Sequence, residues 1–221
     1  MASVKVYGPT LPSASVSRVL ACLIEKDVEF QVISVELSKG QHKLPQHLKI
    51  QPFGQVPAFQ DEDIILFESR AICRYVSEKY QNQGNTALFG TNPLTKALID
   101  QWLEAEGQNF NPPNSALIFQ LAFAPMMELE QDPIVIKQSE KKLAKVLDVY
   151  ERRLEESRYL AGEEFTLADL SHLPMTQYLV NKTDRGELIT SRKNVARWWG
   201  EISRRDSWKK VIEMQNAPPR A

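Results

Sequence analysis

The chain has 221 residues, between one and two domains in length and enough to bury a core without staples. Its 27 Lys and Arg against 28 Asp and Glu leave a net charge of −1, and 43% of residues are apolar. That balance excludes a disordered tail protein and argues against a nucleic-acid binder, which would carry a basic excess. No stretch approaches the roughly 20 apolar residues of a membrane span. The opening MASVKVYG has no apolar signal core, and the closing PPRA is no retention or peroxisomal address. A cytoplasmic protein with neither membrane nor nucleic acid as partner is expected. Cys22 and Cys73 are too few for a disulfide framework or a zinc site of two CxxC pairs. Both sit in apolar helical patterns, as small core hydrophobes do.

Val4 to Tyr7 alternates and predicts a strand. Gly8 and Pro9 end it. Val16, Val19, Leu20, Leu23 and Ile24 then follow at helical spacing, with Ser13, Ser15 and Ser17 as candidates near the N-cap. Phe30 to Val35 is a second strand, so the opening reads β-α-β with a right-handed crossover. A polar loop from Ser38 to Gln51 follows. Pro57 must sit at the start or edge of the next strand, and its bond to Val56 is a candidate cis peptide. Ile64 to Phe67 is a fourth strand, and Glu68-Ser69-Arg70 opens a helix.

Residues 82–92 are polar and turn-rich, a linker between a domain at 1–81 and one at 93–221. Everything after it reads helical. Asn92-Pro93 is a cap with Pro at the first helical position. Asn111-Pro112-Pro113 predicts a break. Ala116 to Phe123 is almost wholly apolar and predicts a helix buried on most sides. Asp132-Pro133 starts a helix through Leu154, and Thr166 with Asp169 forms a capping-box pattern beside Phe165 as staple. A last helix carries Trp198, Trp199, Ile202 and Trp208. The fold class is therefore α/β followed by all-α.

No metal cluster is expected: His42, His47 and His172 are scattered, and His172 on an apolar helix reads as a core histidine. There is no phosphate-binding glycine loop and no GxSxG. A hydroxyl at the first βα turn has a functional reading, as a donor to an anion at a helix N-terminus, and a bland one, as a cap. Glu68 and Ser69 likewise read either as a clamp, taking an ammonium and a carboxylate, or as capping. The basic residues from Arg192 to Lys210 read as a solvated face.

The segments PFGQVPAFQD and LFESRAICRYV resemble the glutathione-binding region of a soluble glutathione transferase. QHKLPQHL upstream and KLAKVLDVYERRLEESRYLAGEEFTLADLSHLP downstream extend the likeness over essentially the whole chain. In order and spacing these motifs resemble the phi class of plants. The resemblance implies a thioredoxin-like N-terminal domain, a helical C-terminal domain, a homodimer, and glutathione as co-substrate with no metal. It implies that Glu68 and Ser69 hold the γ-glutamyl end, that Gln55 and Val56 meet the cysteinyl backbone with Pro57 in cis, and that His42 and Lys43 lie near the glycine carboxylate. The family's catalytic serine, counted back from Arg18, falls on Ser13, with Ser15 as the other candidate. Gln51 stands where many relatives carry Asn. Leu11, Pro12, Phe119 and Phe123 are the expected contacts of an apolar electrophile. Phe53 is a candidate for docking into a partner subunit. The implied activity is conjugation of glutathione to hydrophobic electrophiles, a detoxification reaction, with peroxidase activity toward organic hydroperoxides beside it. The alternative is a non-catalytic carrier of hydrophobic or flavonoid-like ligands.

Overall fold

The computed structural model describes residues 3–9 and 13–217. By internal contact the chain divides into two compact units, Met1–Phe89 with Arg205–Ala221, and Gly90–Arg204.

The first unit is built on a four-stranded sheet. Its strands are β1 (Val4–Gly8), β2 (Phe30–Ser34), β3 (Ala58–Asp61) and β4 (Ile64–Phe67), in the order β2-β1-β3-β4. β2 runs parallel to β1, while β3 and β4 are antiparallel additions. The parallel pair is joined by α1 (Ala14–Glu25), as the β-α-β reading requires. α1 lies close to β1 because Gly8 lets it. A Cβ at Gly8 would stand 2.6 Å from Val16 Cγ2.

The loop after β2 is more ordered than a polar sequence suggests. It holds two 3-10 turns (Leu37–Lys39 and Gln41–Lys43) and a short helix α2 (Pro45–Leu48). β4 leads into α3 (Ser69–Lys79), which packs on α1 through Ile72, Cys73 and Val76. Cys22 and Cys73 are both free and buried there. Burial pushes the Cys22 thiol well above its ordinary range, so it is no competing thiolate. At the end of β3 the buried Asp61 carboxylate accepts from Lys79 (2.8 Å), Tyr80 (3.0 Å) and Tyr75 (3.2 Å), tying α3 to the sheet.

The second unit is helical: α4 (Pro93–Ala105), α5 (Asn111–Ile118), α6 (Ala124–Met126), α7 (Pro133–Glu156), α8 (Leu167–Leu170), α9 (Leu173–Lys182), α10 (Glu187–Thr190) and α11 (Lys193–Ile202). Asn92 caps α4 with a reciprocal box to Thr95, and Asp132 caps α7. The expected break at Asn111-Pro112-Pro113 does not occur. A π-turn over Glu106–Phe110 joins α4 to α5, closing with the Asn111 N–H on the Glu106 carbonyl. The two prolines then occupy the first turn of α5, where their missing N–H groups leave no gap.

The Thr166–Asp169 capping box is present as read. Asp169, fully buried, also accepts from Leu160 N (3.0 Å) and Trp198 Nε1 (2.8 Å), so one carboxylate ties three segments. His172 is a satisfied core histidine, between the Tyr150 hydroxyl (2.9 Å) and the Ala168 carbonyl (2.7 Å). Tyr150 sits at the centre of an aromatic core with Trp102, Phe110 and Trp198.

The expected single last helix is two. α11 ends at Ile202, and α12 (Asp206–Asn216) carries Trp208 and groups by contact with the first unit, against α1. The basic run at this end is largely paired: Arg192 with Asp148, Arg197 with Glu201, and Arg205 with Glu25. No helix among the described residues is long and apolar enough to cross a membrane.

Candidate functional site

Four strand ends meet at one edge of the sheet. Gly8, the end of β1, pairs with Ser34, the end of β2. Tyr7 pairs with Ala58, the start of β3, and Ala58 pairs with Phe67, the end of β4. The described residues leaving this edge are therefore Pro9, the loop 35–57 and Glu68-Ser69, with Ser13 at the start of the helix that follows β1. They carry every sequence-predicted glutathione contact and the candidate serine. Sites in open sheets lie beyond the carboxyl ends of parallel strands, and β1 and β2 are that pair.

Ser13 stands at the N-cap of α1 in extended conformation, with φ −135° and ψ 122°. Its side chain makes no capping hydrogen bond. The bland reading, a cap, is therefore not what this hydroxyl does. Its carbonyl accepts from Ser17 N (2.8 Å), so the helix register is fixed from this residue. The first-turn N–H groups of α1 give this end a positive dipole. Ser15 lies inside α1, in its first turn. Leu11 and Pro12 lie outside the described residues.

The loop 35–57 is folded on itself. Gly54 has φ +60°, and a Cβ there would stand 2.9 Å from Lys43 Nζ and 3.0 Å from the His42 carbonyl. A side chain at this position would displace both. Lys43 Nζ donates to the Phe53 carbonyl at 3.2 Å. His42 keeps a buried Nδ1 with no hydrogen-bond partner among the described residues. Gln55 is exposed, but its backbone is held at both ends. Its N–H donates to Gln51 Oε1 (3.0 Å), and its carbonyl meets His47 Nε2 (2.7 Å). The Val56–Pro57 peptide is cis, and Pro57 is buried directly before β3.

Glu68 is exposed and occupies a backbone that side chains rarely adopt, with φ +67° and ψ 104°. Such strain costs on the order of 1–3 kcal/mol and collects at functional sites. Its carboxylate makes no capping bond to α3. Ser69, the first residue of α3, is buried, and its Oγ accepts from Arg18 Nη1 at 2.8 Å. Neither residue caps α3 with its side chain, so capping leaves both unexplained. The edge thus carries one uncommitted carboxylate, a lysine, an unpartnered imidazole nitrogen and a hydroxyl at a helix N-terminus. A zwitterion with one ammonium, two carboxylates and an acidic thiol is complementary to that set.

Three further residues hold this edge in place, in roles the sequence did not assign to them. Arg18 supports Ser69 from α1, while Gln51 and His47 hold Gln55. Gln51, which stands where many relatives carry Asn, is one of the two groups fixing that backbone. The Arg18 contact joins α1 to α3 across 51 positions, while the Gln51 and His47 contacts lie within the loop, four and eight positions from Gln55.

Phe119 and Phe123 belong to the second unit, on a π-turn that follows α5. The apolar run 116–123 is not buried all round. Leu117 and Ile118 are fully buried, whereas Phe119 and Phe123 remain 41% and 37% exposed. Phe123 packs edge-on to Tyr178 at 5.6 Å. A groove of about 660 Å³ in the second unit, lined by Leu121, Ile136, Lys182 and Arg185 among others, shares no residue with the sheet-edge set.

Comparison with known proteins shows the family. The family model described as "Glutathione S-transferase, N-terminal domain" matches residues 2–78, and "Glutathione S-transferase, C-terminal domain" matches residues 115–206. Glutathione S-transferase F11 of Arabidopsis thaliana is 49% identical, over 96% of this chain and 98% of its own. The crystal structure of glutathione transferase F2 from Populus trichocarpa is 68% identical, covers 97% of this chain and 100% of its own, and superposes with a TM-score of 0.95. Glutathione S-transferase I from mais, solved with an atrazine glutathione conjugate, is 35% identical over 100% of both chains, with a TM-score of 0.89. The chain belongs to the glutathione S-transferase family, in its phi class.

Proposed function

We propose that Ser13 donates its hydroxyl hydrogen to the sulfur of bound glutathione and holds that sulfur as a thiolate. The chain is a glutathione transferase, and glutathione is its co-substrate. Which residues do the work is the proposal. Its support is the gathering of Glu68, Ser69, Lys43 and His42 at one sheet edge, beside a Ser13 hydroxyl that caps nothing.

In this reading Glu68 takes the γ-glutamyl ammonium, and the start of α3, with Ser69, takes the neighbouring carboxylate. Gln55 and Val56 pair with the cysteinyl backbone in the manner of an added strand, with Pro57 in cis beside them. Lys43 and His42 take the glycine carboxylate, which would satisfy the unpartnered His42 Nδ1. A free thiol of pKa ~8.5 is only a few per cent ionised at pH 7. A Ser O–H on the sulfur and the N-terminus of α1 both favour the anion, and each unit of lowering needs ~1.4 kcal/mol. One charge-assisted hydrogen bond supplies about that much. The thiolate then forms a C–S bond to the electrophile, the leaving group departs with the bonding pair, and the thiol proton goes to solvent. Ser13 acts as donor to the anion, not as base, and the chain contributes proximity and a pre-formed anion site.

Leu11, Pro12, Phe119 and Phe123 are the proposed contacts of the apolar electrophile. The same thiolate attacking an organic hydroperoxide releases the alcohol, and a second glutathione reduces the sulfenic product to the disulfide. Titration calorimetry with glutathione tests the binding half. Glu68→Gln and Lys43→Ala should each weaken affinity by about tenfold, as loss of a hydrogen bond to a charged group does. Unchanged affinity in both would overturn the assignment. Tight glutathione binding without turnover of any electrophile or hydroperoxide would favour the carrier.

A homodimer in the cytoplasm is the proposed working form, with residues 1–81 as the glutathione-binding domain, 82–92 as the linker and 93–221 as the helical domain. Phe53 supports the dimer: it is 65% exposed, propped edge-on against Phe67 at 5.9 Å, on the site loop. A large exposed aromatic is the form of an interface anchor.

A further inference from the structure

We infer that Ser17 and Gln215 are positioning residues for Ser13, so that the last helix of the chain takes part in setting the sulfur site. This rests on the reading of Ser13 as the sulfur's partner. Ser17 is only 2% exposed and lies one turn into α1. Its hydroxyl donates to the Ser13 carbonyl at 2.6 Å. The same hydroxyl accepts from Gln215 Nε2 at 2.5 Å, across 198 positions of sequence. The result is a relay from an amide on α12, through a hydroxyl on α1, to the backbone of Ser13.

Helix formation does not require this relay. The Ser13 carbonyl already has its ordinary helical bond from Ser17 N, at 2.8 Å. A second bond from a serine back to the residue four positions earlier tends to bend a helix slightly rather than stabilise it. Alanine would be the better helix former at a buried position in the first turn. What the second bond does is fix the Ser13 peptide plane. The Ser13 side chain makes no capping bond of its own, so its backbone frame is what aims its hydroxyl. Two donors on one carbonyl narrow that frame.

α12 is built to deliver the amide. Near its start, Arg205 pairs with both Glu25 carboxylate oxygens, at 2.7 and 2.8 Å, and Ser207 donates to the same carboxylate. Glu25 is the last residue of α1. α12 therefore grips α1 at both ends, at Glu25 through Arg205 and at Ser17 through Gln215. The clamp at Glu25 sets where along α1 the Gln215 amide arrives.

The test is the pH dependence of glutathione conjugation to 1-chloro-2,4-dinitrobenzene. Ser17→Ala and Gln215→Leu are each measured beside the parent and again with Ser13→Ala added. In the parent, either change should lower kcat/KM below the inflection about three- to tenfold. It should also move the inflection to higher pH, with the KM for glutathione little changed. With Ser13→Ala added, neither should cost anything further, because the residue they aim is gone. Equal losses in both backgrounds, or an inflection that stays put, would overturn the relay and leave Ser17 a packing residue. Gln215 is only half-buried, so Gln215→Leu gives the answer even if Ser17→Ala fails to fold. Should Ser13→Ala itself leave the inflection unmoved, the reading of Ser13 falls and the relay with it. A shift in Ser13→Ala alone would overturn only the relay.

Discussion

As the proposed ammonium partner, Glu68 sets stability against binding in a single residue. Its backbone sits at φ +67°, where glycine is at ease and glutamate is strained. Glu68→Gly should therefore raise the free energy of unfolding, by up to about 1 kcal/mol, as relief of strain exceeds the added entropy of the unfolded chain. The same change should raise the KM for glutathione by about tenfold or more, because the ammonium partner is lost. Urea unfolding and steady-state kinetics on one preparation check both signs. A variant that is both less stable and equally active would contradict the functional account of the strain. The sequence made Glu68 and Ser69 visible through their place in a motif, and Pro57 through its position before a strand. Glu68's backbone strain was not visible, because no local pattern announces a positive φ at a glutamate. The partners Arg18, His47 and Gln51 were not visible either. Arg18 reaches Ser69 across 51 positions, and His47 and Gln51 meet the Gln55 backbone only in the loop's particular fold.

Elements carry the next set of consequences. The Thr166–Asp169 box was legible because a cap is local, four residues read in order. Its wider role was not, since Leu160 and Trp198 reach Asp169 from nine and 29 positions away. Asp169→Ala leaves several buried donors unpaired and should cost about 3–5 kcal/mol, read as a lower urea midpoint. The π-turns at 106–110 and 119–123 were also illegible, since a π-turn keeps the composition of a helix while rotating the residues beyond it. Phe119 and Phe123 open and close the second of these turns and stay partly exposed.

α12 makes a pH prediction. Burial alone would raise the Glu25 carboxyl, but the bonds from Arg205 and Ser207 outweigh it and hold the group below its usual value of 4.5. A folded-state value below the unfolded one means the contribution is present above the unfolded value and is lost as pH falls through the folded one. Acidification below about pH 4.5 should loosen α12 from α1 before global unfolding. Hydrogen exchange across residues 206–216 should accelerate there, and Glu25→Gln should show the fast exchange already at neutral pH. Exchange in α12 that keeps step with the rest of the chain at every pH would contradict this.

For the whole molecule, the β-α-β, β-β-α order and the helical second half followed from periodicity alone, because each element has its own pattern. The split of the helical tail did not. α12 belongs by contact with the sheet-bearing unit although it follows α11 by three residues, and that grouping comes from Glu25 and Ser17, far off in sequence. Sedimentation velocity should find the chain dimeric, and Phe53→Asp should shift it toward the monomer by placing a charge where an apolar anchor docks. An unchanged sedimentation coefficient would remove Phe53 from the interface.

The central claim is that Ser13 holds the glutathione sulfur as a thiolate. The most direct measurement is the ultraviolet thiolate absorbance of enzyme-bound glutathione, titrated with pH in the parent and in Ser13→Ala. The expected inflection in the parent lies at least one unit below the free-thiol value of ~8.5, and it should return toward that value in the variant. Coincident titrations in the two proteins would contradict it.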